Sequence, residues 1–281
     1  MAMQPSQIAW EQRLDVATEA ALAAGAILRR YQTQLFTIDE KRPGDLITDA
    51  DRESEALILH LLERHFPQDA ILTEESGTQG AASSDVLWVI DPLDGTTNFA
   101  HRYPCFAVSI GLLVEGHPVL GVVYDPSHDQ LFRALAGGGA TCNRQPMQVS
   151  SIATLERSLL VTGFAYDRRH VVDNNYAEFC HFTHLTQGVR RGGSAAMDLA
   201  YVACGRLDGY WERGLSPWDI TAGTVLVREA GGTVTAYNGE PLDLFSGRIV
   251  ASNPHLHAAI VAELGRIRPL TWEAPGAWLP G

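Results

Sequence analysis

Apolar residues recur at helical spacing over residues 8–31, with Val16, Ala20, Ala23, Ile27 and Leu28 on the repeat and alanines adding propensity, so a long first helix is expected. A second helix starts near Thr48 or Asp49, both N-cap types. It runs through Ala56, Leu57, Leu61 and Leu62 toward Pro67, which places Asp51 in its first turn. The short apolar runs 70–73 and 86–90 read as buried strands, each running into acidic residues and separated by a loop of small residues. Residues 106–114 and 119–124 flank Glu115-Gly116-His117-Pro118, a hairpin signal, and 130–135 supplies the third strand of an antiparallel meander. Beyond Arg157 the pattern predicts a strand at 159–162, helices at 175–185 and 194–203, a strand at 207–211, and a helix at 219–230 stopped by Gly231-Gly232. Strands near 233–237 and 249–251 and a helix at 256–267 close the chain. No internal repeat or low-complexity linker interrupts this order. The expectation is an α+β protein of stacked helix and largely antiparallel sheet layers. Residues 1–281 are expected to form one folded unit, with an N-terminal lobe at about 1–150 and a C-terminal lobe at about 151–281.

Composition narrows the possible functions. The chain has 46% hydrophobic and 19% charged residues, a folded globular profile. Its formal charge of -12 disfavours general binding to nucleic acid or to anionic membranes. An acidic enzyme acting on phosphate esters would need cations in its site. Cys105, Cys142, Cys180 and Cys204 lie far apart, without zinc or redox spacing, and no stretch has a signal-peptide or membrane-span pattern; a cytoplasmic setting is expected.

The densest chemistry lies in Trp88-Val89-Ile90-Asp91-Pro92-Leu93-Asp94-Gly95-Thr96-Thr97-Asn98-Phe99, where a buried strand meets two carboxylates and a Gly-Thr-Thr turn. Holding Asp91 and Asp94 together in a partly buried turn costs repulsion and desolvation, which a hard divalent cation relieves; the Leu93 carbonyl can face the same ion. These residue types also make ordinary turns. Glu74 and Glu75 end the other acidic strand, which suggests one shared site. Backbone N–H groups of Gly95, Thr96 and Thr97 at the start of a short helix would cradle a phosphate, although the same residues suit a plain helix cap.

These segments resemble the inositol monophosphatase family. Its first signature is matched by Trp88 to Phe99. Its second is matched by Pro217-Trp218-Asp219-Ile220-Thr221-Ala222-Gly223, continuing to Glu229-Ala230-Gly231-Gly232. Asp45-Leu46-Ile47-Thr48-Asp49-Ala50-Asp51 and Thr73-Glu74-Glu75-Ser76-Gly77 fall in the family's order as well. The resemblance implies a layered αβαβα sandwich and a phosphomonoesterase that hydrolyses myo-inositol monophosphate with two or three Mg²⁺ ions. It assigns Glu74, Asp91, Asp94 and Asp219 as metal carboxylates, with Asp91 bridging and the Leu93 carbonyl as a further ligand. Asp51 and Thr96 become the dyad that activates the attacking water, with Glu74 counted among the catalytic residues. Gly193, Ser194, Ala195 and Glu212, together with Asp94, Gly95, Thr96, Thr97 and Asp219, contact the substrate.

Glu212 has a plainer alternative as a surface ion-pair partner of Arg213, and Lys41 sits where relatives often place a lysine near the metal-bound waters, with a solvated loop cation as its plainer alternative. Ser194 stands where many relatives have Thr, and Ser216-Pro217 precede Trp218 where animal members have His-Cys. The Pro-Trp-Asp form and the overall length resemble bacterial members. His101, His128 and His170 show no ligand spacing and read as structural or surface residues. The resemblance further implies lithium sensitivity and a homodimer. Its alternatives are histidinol phosphate, fructose bisphosphate or 3'-phosphoadenosine phosphate as substrate, or a protein-partner role in a bacterial transcription complex that processes ribosomal RNA.

Overall fold

The computed structural model describes residues 5–34, 37–42, 45–80 and 84–270. Pro43 and Gly44 of the Lys41 loop, and the centre of the loop before Val86, lie outside the described residues.

The elements follow in chain order. Helix α1 (Pro5–Gln32), the hairpin β1 (Ile38–Arg42) and β2 (Asp45–Thr48), α2 (Asp49–His65), β3 (Ala70–Thr73) and β4 (Gly77–Gln79) come first. Next are β5 (Val86–Asp94), α3 (Thr96–Ala100), β6 (Ala107–Val114), β7 (His117–Asp125), β8 (Gln130–Leu135), β9 (Gly139–Cys142) and β10 (Gln145–Pro146). The second half holds β11 (Leu159–Thr162), α4 (Tyr176–Leu185), β12 (Gly188–Arg191), α5 (Ala195–Ala203) and β13 (Gly209–Arg213). It ends with α6 (Pro217–Glu229), β14 (Thr233–Thr235), β15 (Arg248–Ser252) and α7 (Pro254–Leu264).

These elements stack in five layers. An eight-stranded sheet runs in the order β10-β9-β8-β7-β6-β5-β3-β4, and a five-stranded sheet runs β12-β11-β13-β15-β14. Helices α1 and α2 cover the outer face of the large sheet, α5 and α6 lie between the sheets, and α4 and α7 cover the small one. Three cores correspond to this stacking. One joins α1 and α2 to Trp88, Ile90 and Val108; a second surrounds α5 and α6; a third joins Phe182 and Trp211 to Leu256 and Ile260. The αβαβα expectation holds. Pairing is mostly antiparallel, with parallel contacts at β3 with β5 and at β11 with both β12 and β13.

Small residues set the layer spacing. Ala17, Ala20, Ala21, Ala24 and Leu28 are fully buried along one stripe of α1, so the helix lies close to its neighbours. Gly111 of β6 pairs with Gly121 of β7, and α6 rests directly on the pair. A Cβ at Gly121 would fall 2.3 Å from the Ala222 carbonyl oxygen, and one at Gly111 would fall 2.5 Å from the Thr221 methyl. This bare patch of sheet lets α6 approach closely enough to bring its first turn beside β5.

Candidate active site

Strand β5 does not stop at Ile90. The ladder continues with Asp91 opposite Ser109 and Asp94 opposite Ala107, with an irregularity between them that Pro92 allows. The Asp91 carboxylate accepts the Leu93 N–H at 2.9 Å, and Ser54 of α2 donates to the Pro92 carbonyl at 2.9 Å. Both contacts fix the turn. Asp94 is anchored from the other half of the chain: its Oδ2 accepts from the Ser194 hydroxyl at 2.6 Å and from the Ala196 N–H at 2.7 Å, at the start of α5. The helix N-terminus favours a carboxylate there. Gly95 has φ 92°, and a Cβ on it would lie 3.0 Å from the Cys105 carbonyl and 3.2 Å from that of Gly193. Only glycine allows the two loops to meet so closely.

Two further acids owe their placement to helix capping. Asp51 is the third residue of α2; its Oδ2 accepts from the Thr48 N–H at 2.8 Å and the Thr48 hydroxyl at 2.6 Å. Asp219 holds the same position in α6 and accepts the Ser216 N–H at 2.6 Å. These are capping boxes with Asp in the usual Glu position. Ser109 of β6 donates to the Trp218 carbonyl at 3.2 Å, which ties the first turn of α6 to the strand opposite Asp91.

As a result, Asp91, Asp94 and Asp219 each offer an oxygen within 4.8 Å of the others. Burial raises the Asp91 and Asp219 carboxyls well above the ordinary range, and the neighbouring acids raise them further. Asp94 is raised to about 6, also mainly by burial, although the Ser194 and Ala196 hydrogen bonds oppose this. Asp51 is raised to about 6 by burial; its Oδ1 lies 3.3 Å from the Thr96 hydroxyl, which also donates to the Leu93 carbonyl at 3.1 Å.

Glu74 lines the same cavity as Lys41, Asp91, Leu93, Asp94, Thr96 and Asp219, but stands outside the close trio. Its partner is Lys41, at 2.9 Å, and Lys41 also reaches Glu75 at 2.6 Å. Burial works against the Lys41 charge, yet the two glutamates more than offset it and its pKa is raised. The turn carrying Glu74 is set by Glu55, which accepts from the Thr73 hydroxyl at 2.6 Å and the Glu75 N–H at 3.1 Å.

A second cavity opens beside the acids. Asp94, Gly95, Thr97, Gly193, Ser194, Ala195, Glu212 and Asp219 all line it, so the expected substrate contacts are brought together except Thr96, which lines the first cavity. Glu212 is buried and accepts from the Tyr210 hydroxyl at 2.7 Å. The surface pair with Arg213 does not form; Arg213 binds Asp167 instead, at 2.7 Å and 2.9 Å. Phe164, Tyr166 and Arg191 also line this cavity and were not anticipated. Arg191 ends a short polar strand with no apolar alternation to mark it, and Tyr166 lies in a 3₁₀ turn.

Comparison with known proteins agrees with this geometry. A profile of the inositol monophosphatase family matches residues 9–268. The chain belongs to that family. It is 60% identical over 245 residues to the inositol-1-monophosphatase of Synechocystis, covering 87% of this chain and 85% of the relative. It is 41% identical over 253 residues to the Nus factor SuhB of Escherichia coli K12, covering 89% and 95%. The solved inositol monophosphatase of Anabaena superposes with a TM-score of 0.86 at 58% identity, covering 93% of this chain and 98% of that one.

The donor set of this inositol monophosphatase family member is all oxygen and strongly acidic. Burial, reinforced by the neighbouring acids, raises the Asp91 and Asp219 carboxyls, and a hard divalent cation bound among these oxygens would relieve both effects.

Proposed function

We propose that the protein is a Mg²⁺-dependent phosphomonoesterase that hydrolyses myo-inositol monophosphate to inositol and phosphate. The observation that carries the reading is the trio Asp91, Asp94 and Asp219, of which Asp94 and Asp219 also line the cavity that holds Glu212 and the Gly193 turn. Two or three ions would be held by Glu74, Asp91, Asp94 and Asp219 with the Leu93 carbonyl. Bound cations supply charge neutralisation for the phosphate and leaving oxygen and make a coordinated water more acidic.

The protein's own groups do the positioning. The Thr96 hydroxyl, donating toward Asp51, orients the attacking water and passes its proton to the Asp51 carboxylate. Backbone N–H groups of Gly95, Thr96 and Thr97 face the phosphate oxygens. Ser194 and Ala196 hold one oxygen of Asp94, which leaves its other oxygen available to a cation. Glu212, with the Gly193 and Ala195 backbone, receives the hydroxyls of the alcohol. Because these groups come from both halves of the sequence, the chain works as one catalytic unit.

The four cysteines are free thiols, and no described helix is long and apolar enough to cross a membrane; both features support a cytoplasmic setting. Lithium inhibition and a homodimer belong to the same reading. The test is phosphate release from inositol monophosphate, histidinol phosphate, fructose bisphosphate and 3'-phosphoadenosine phosphate, each with and without Mg²⁺. Mg²⁺-dependent preference for inositol monophosphate supports the proposal, and preference for another ester moves the specificity.

The similarity to the Nus factor SuhB favours a second role as a transcription-complex partner. An Asp94→Asn variant that recovers transcription factors as well as the wild-type protein supports that role; no recovery by either protein removes it.

A further inference from the structure

Glu212 is a buried carboxylate of the leaving-group cavity, and its aim is fixed by Gly163, which also lines that cavity, and by Tyr210, which does not. Tyr210 and Glu212 are two positions apart on β13 and therefore share a face of the strand. Tyr210 is fully buried and donates its hydroxyl to Glu212 Oε2 at 2.7 Å. Among the described residues only Tyr210 donates a hydrogen bond to this carboxylate, which leaves Oε1 to accept from a ligand.

The neighbouring strand completes the seat. A Cβ at Gly163 would stand 2.2 Å from both Glu212 carboxylate oxygens, so the carboxylate lies directly over a bare glycine. Gly163 is held in turn by Asn175, whose amide donates to the Gly163 carbonyl and to the Thr162 hydroxyl, both at 2.7 Å, while its oxygen accepts from the Trp211 indole at 2.7 Å. Glu212 thus has a fixed floor, a fixed wall and a single donor on one oxygen.

We propose that Tyr210 is a positioning residue that aims Glu212 into the leaving-group cavity and thereby sets affinity for hydroxyl-bearing alcohols. The inference rests on the phosphatase reading above and deepens it. A buried phenol that donates to a carboxylate restricts that side chain to one orientation before substrate arrives. It also directs the carboxylate's remaining acceptor capacity at the substrate, where a hydrogen bond to a charged group is worth more than a neutral one. Burial raises the Glu212 carboxyl to about 7, and the Tyr210 hydrogen bond opposes that rise, so the phenol also helps keep the acceptor charged.

Tyr210→Phe removes the hydroxyl while retaining the ring and its packing. With Mg²⁺ present, KM for inositol monophosphate is expected to rise about tenfold with kcat nearly unchanged, the size of one lost charge-assisted hydrogen bond. Both constants for 4-nitrophenyl phosphate, which has no ring hydroxyls, should stay at wild-type values. In a Glu212→Gln background the second substitution should add little, because Tyr210 acts through Glu212. An unchanged KM, an equal loss on both substrates, or fully additive effects overturns the assignment.

If the wild-type protein hydrolyses 4-nitrophenyl phosphate but not inositol monophosphate, the substrate reading has failed instead, and the same split is then measured on the hydroxylated ester it prefers. A crystal structure of Tyr210→Phe gives a readout independent of turnover. Glu212 should leave its wild-type orientation, and a carboxylate still seated over Gly163 contradicts the proposal.

Discussion

Thr96 and Asp51 lie 45 positions apart and meet at 3.3 Å, the Thr96 hydroxyl facing the Asp51 carboxylate in a buried corner beside the acidic trio. Asp51 is already committed on its other oxygen to the cap of α2, so the oxygen toward Thr96 is held in place by secondary structure. The contact makes a specific claim about Thr96. Thr96→Val keeps the shape and removes the donor; turnover should fall by about 10²-fold, the lower range for a lost general-base path, while the melting temperature changes little. Steady-state kinetics beside a thermal melt checks both halves.

The acidic trio predicts a metal-binding phenotype separable from activity. Asp94→Asn and Asp219→Asn should each lose most of the turnover and most of the Mg²⁺-induced rise in melting temperature, because each removes a negative ligand from the cluster. Calorimetric titration with Mg²⁺ reads the second effect without substrate. A variant that binds Mg²⁺ like the wild-type protein removes that residue from the ligand set.

Stability should also depend on pH in a metal-sensitive way. The Asp91, Asp94, Asp219 and Glu212 carboxyls all have folded values above those of the unfolded chain, chiefly through burial. The folded metal-free protein therefore binds more protons than the unfolded chain, and its stability falls as pH rises. The fall begins at about 4, the unfolded carboxylate range, and continues through about 6 for Asp94 and about 7 for Glu212. Thermal melts in EDTA should decline from pH 5 to pH 8 as a consequence. Mg²⁺, which binds the ionised form, should raise the melting temperature most at the upper end. A flat or rising EDTA profile contradicts the burial argument.

Gly121 carries a purely structural prediction. Gly121→Ala drives a methyl into the Ala222 backbone, which cannot rotate aside, so α6 must lift from the sheet and take Asp219 with it. The expected cost is about 1–3 kcal/mol of stability, as for other overpacked sites, with weaker Mg²⁺ binding. Equilibrium unfolding of the variant measures it.

Much of this arrangement is legible in the residues themselves, where local chemistry dictates local structure. Strands β3, β8 and β11 have the bounds their apolar runs predict, because each run is short and ends in polar or turn residues. Thr48 with Asp51 and Ser216 with Asp219 follow a cap spacing that places an acid in each first turn. Other features depend on partners far along the chain. Strand β5 extends to Asp94 because β6 continues to pair with it beyond Pro92, which a proline in the sequence argues against. Strand β1 and the edge strand β12 are mostly polar, and β2 offers only the adjacent pair Leu46-Ile47, so none of them carries a clear alternation. In the β6–β7 hairpin the turn is only Glu115-Gly116, with strand resuming at His117. Helix α7 is Pro254–Leu264, displaced toward the N-terminus by the Asn253 cap. Of the site, the acids were readable from motif and resemblance. The supports Ser54, Glu55 and Tyr210, and the wall residues Phe164, Tyr166 and Arg191, were not, because their roles come from contacts across layers.

A Mg²⁺-dependent phosphatase site is proposed for the acids clustered around Asp91. Its most direct test is phosphate release from myo-inositol monophosphate by the wild-type protein and by Asp94→Asn, first in EDTA and then across a Mg²⁺ titration. The account predicts no release in EDTA, saturable release by the wild-type protein as Mg²⁺ is added, and little or none from Asp94→Asn at any Mg²⁺ concentration. Release that persists in EDTA, or a variant that matches the wild-type rate, would contradict it.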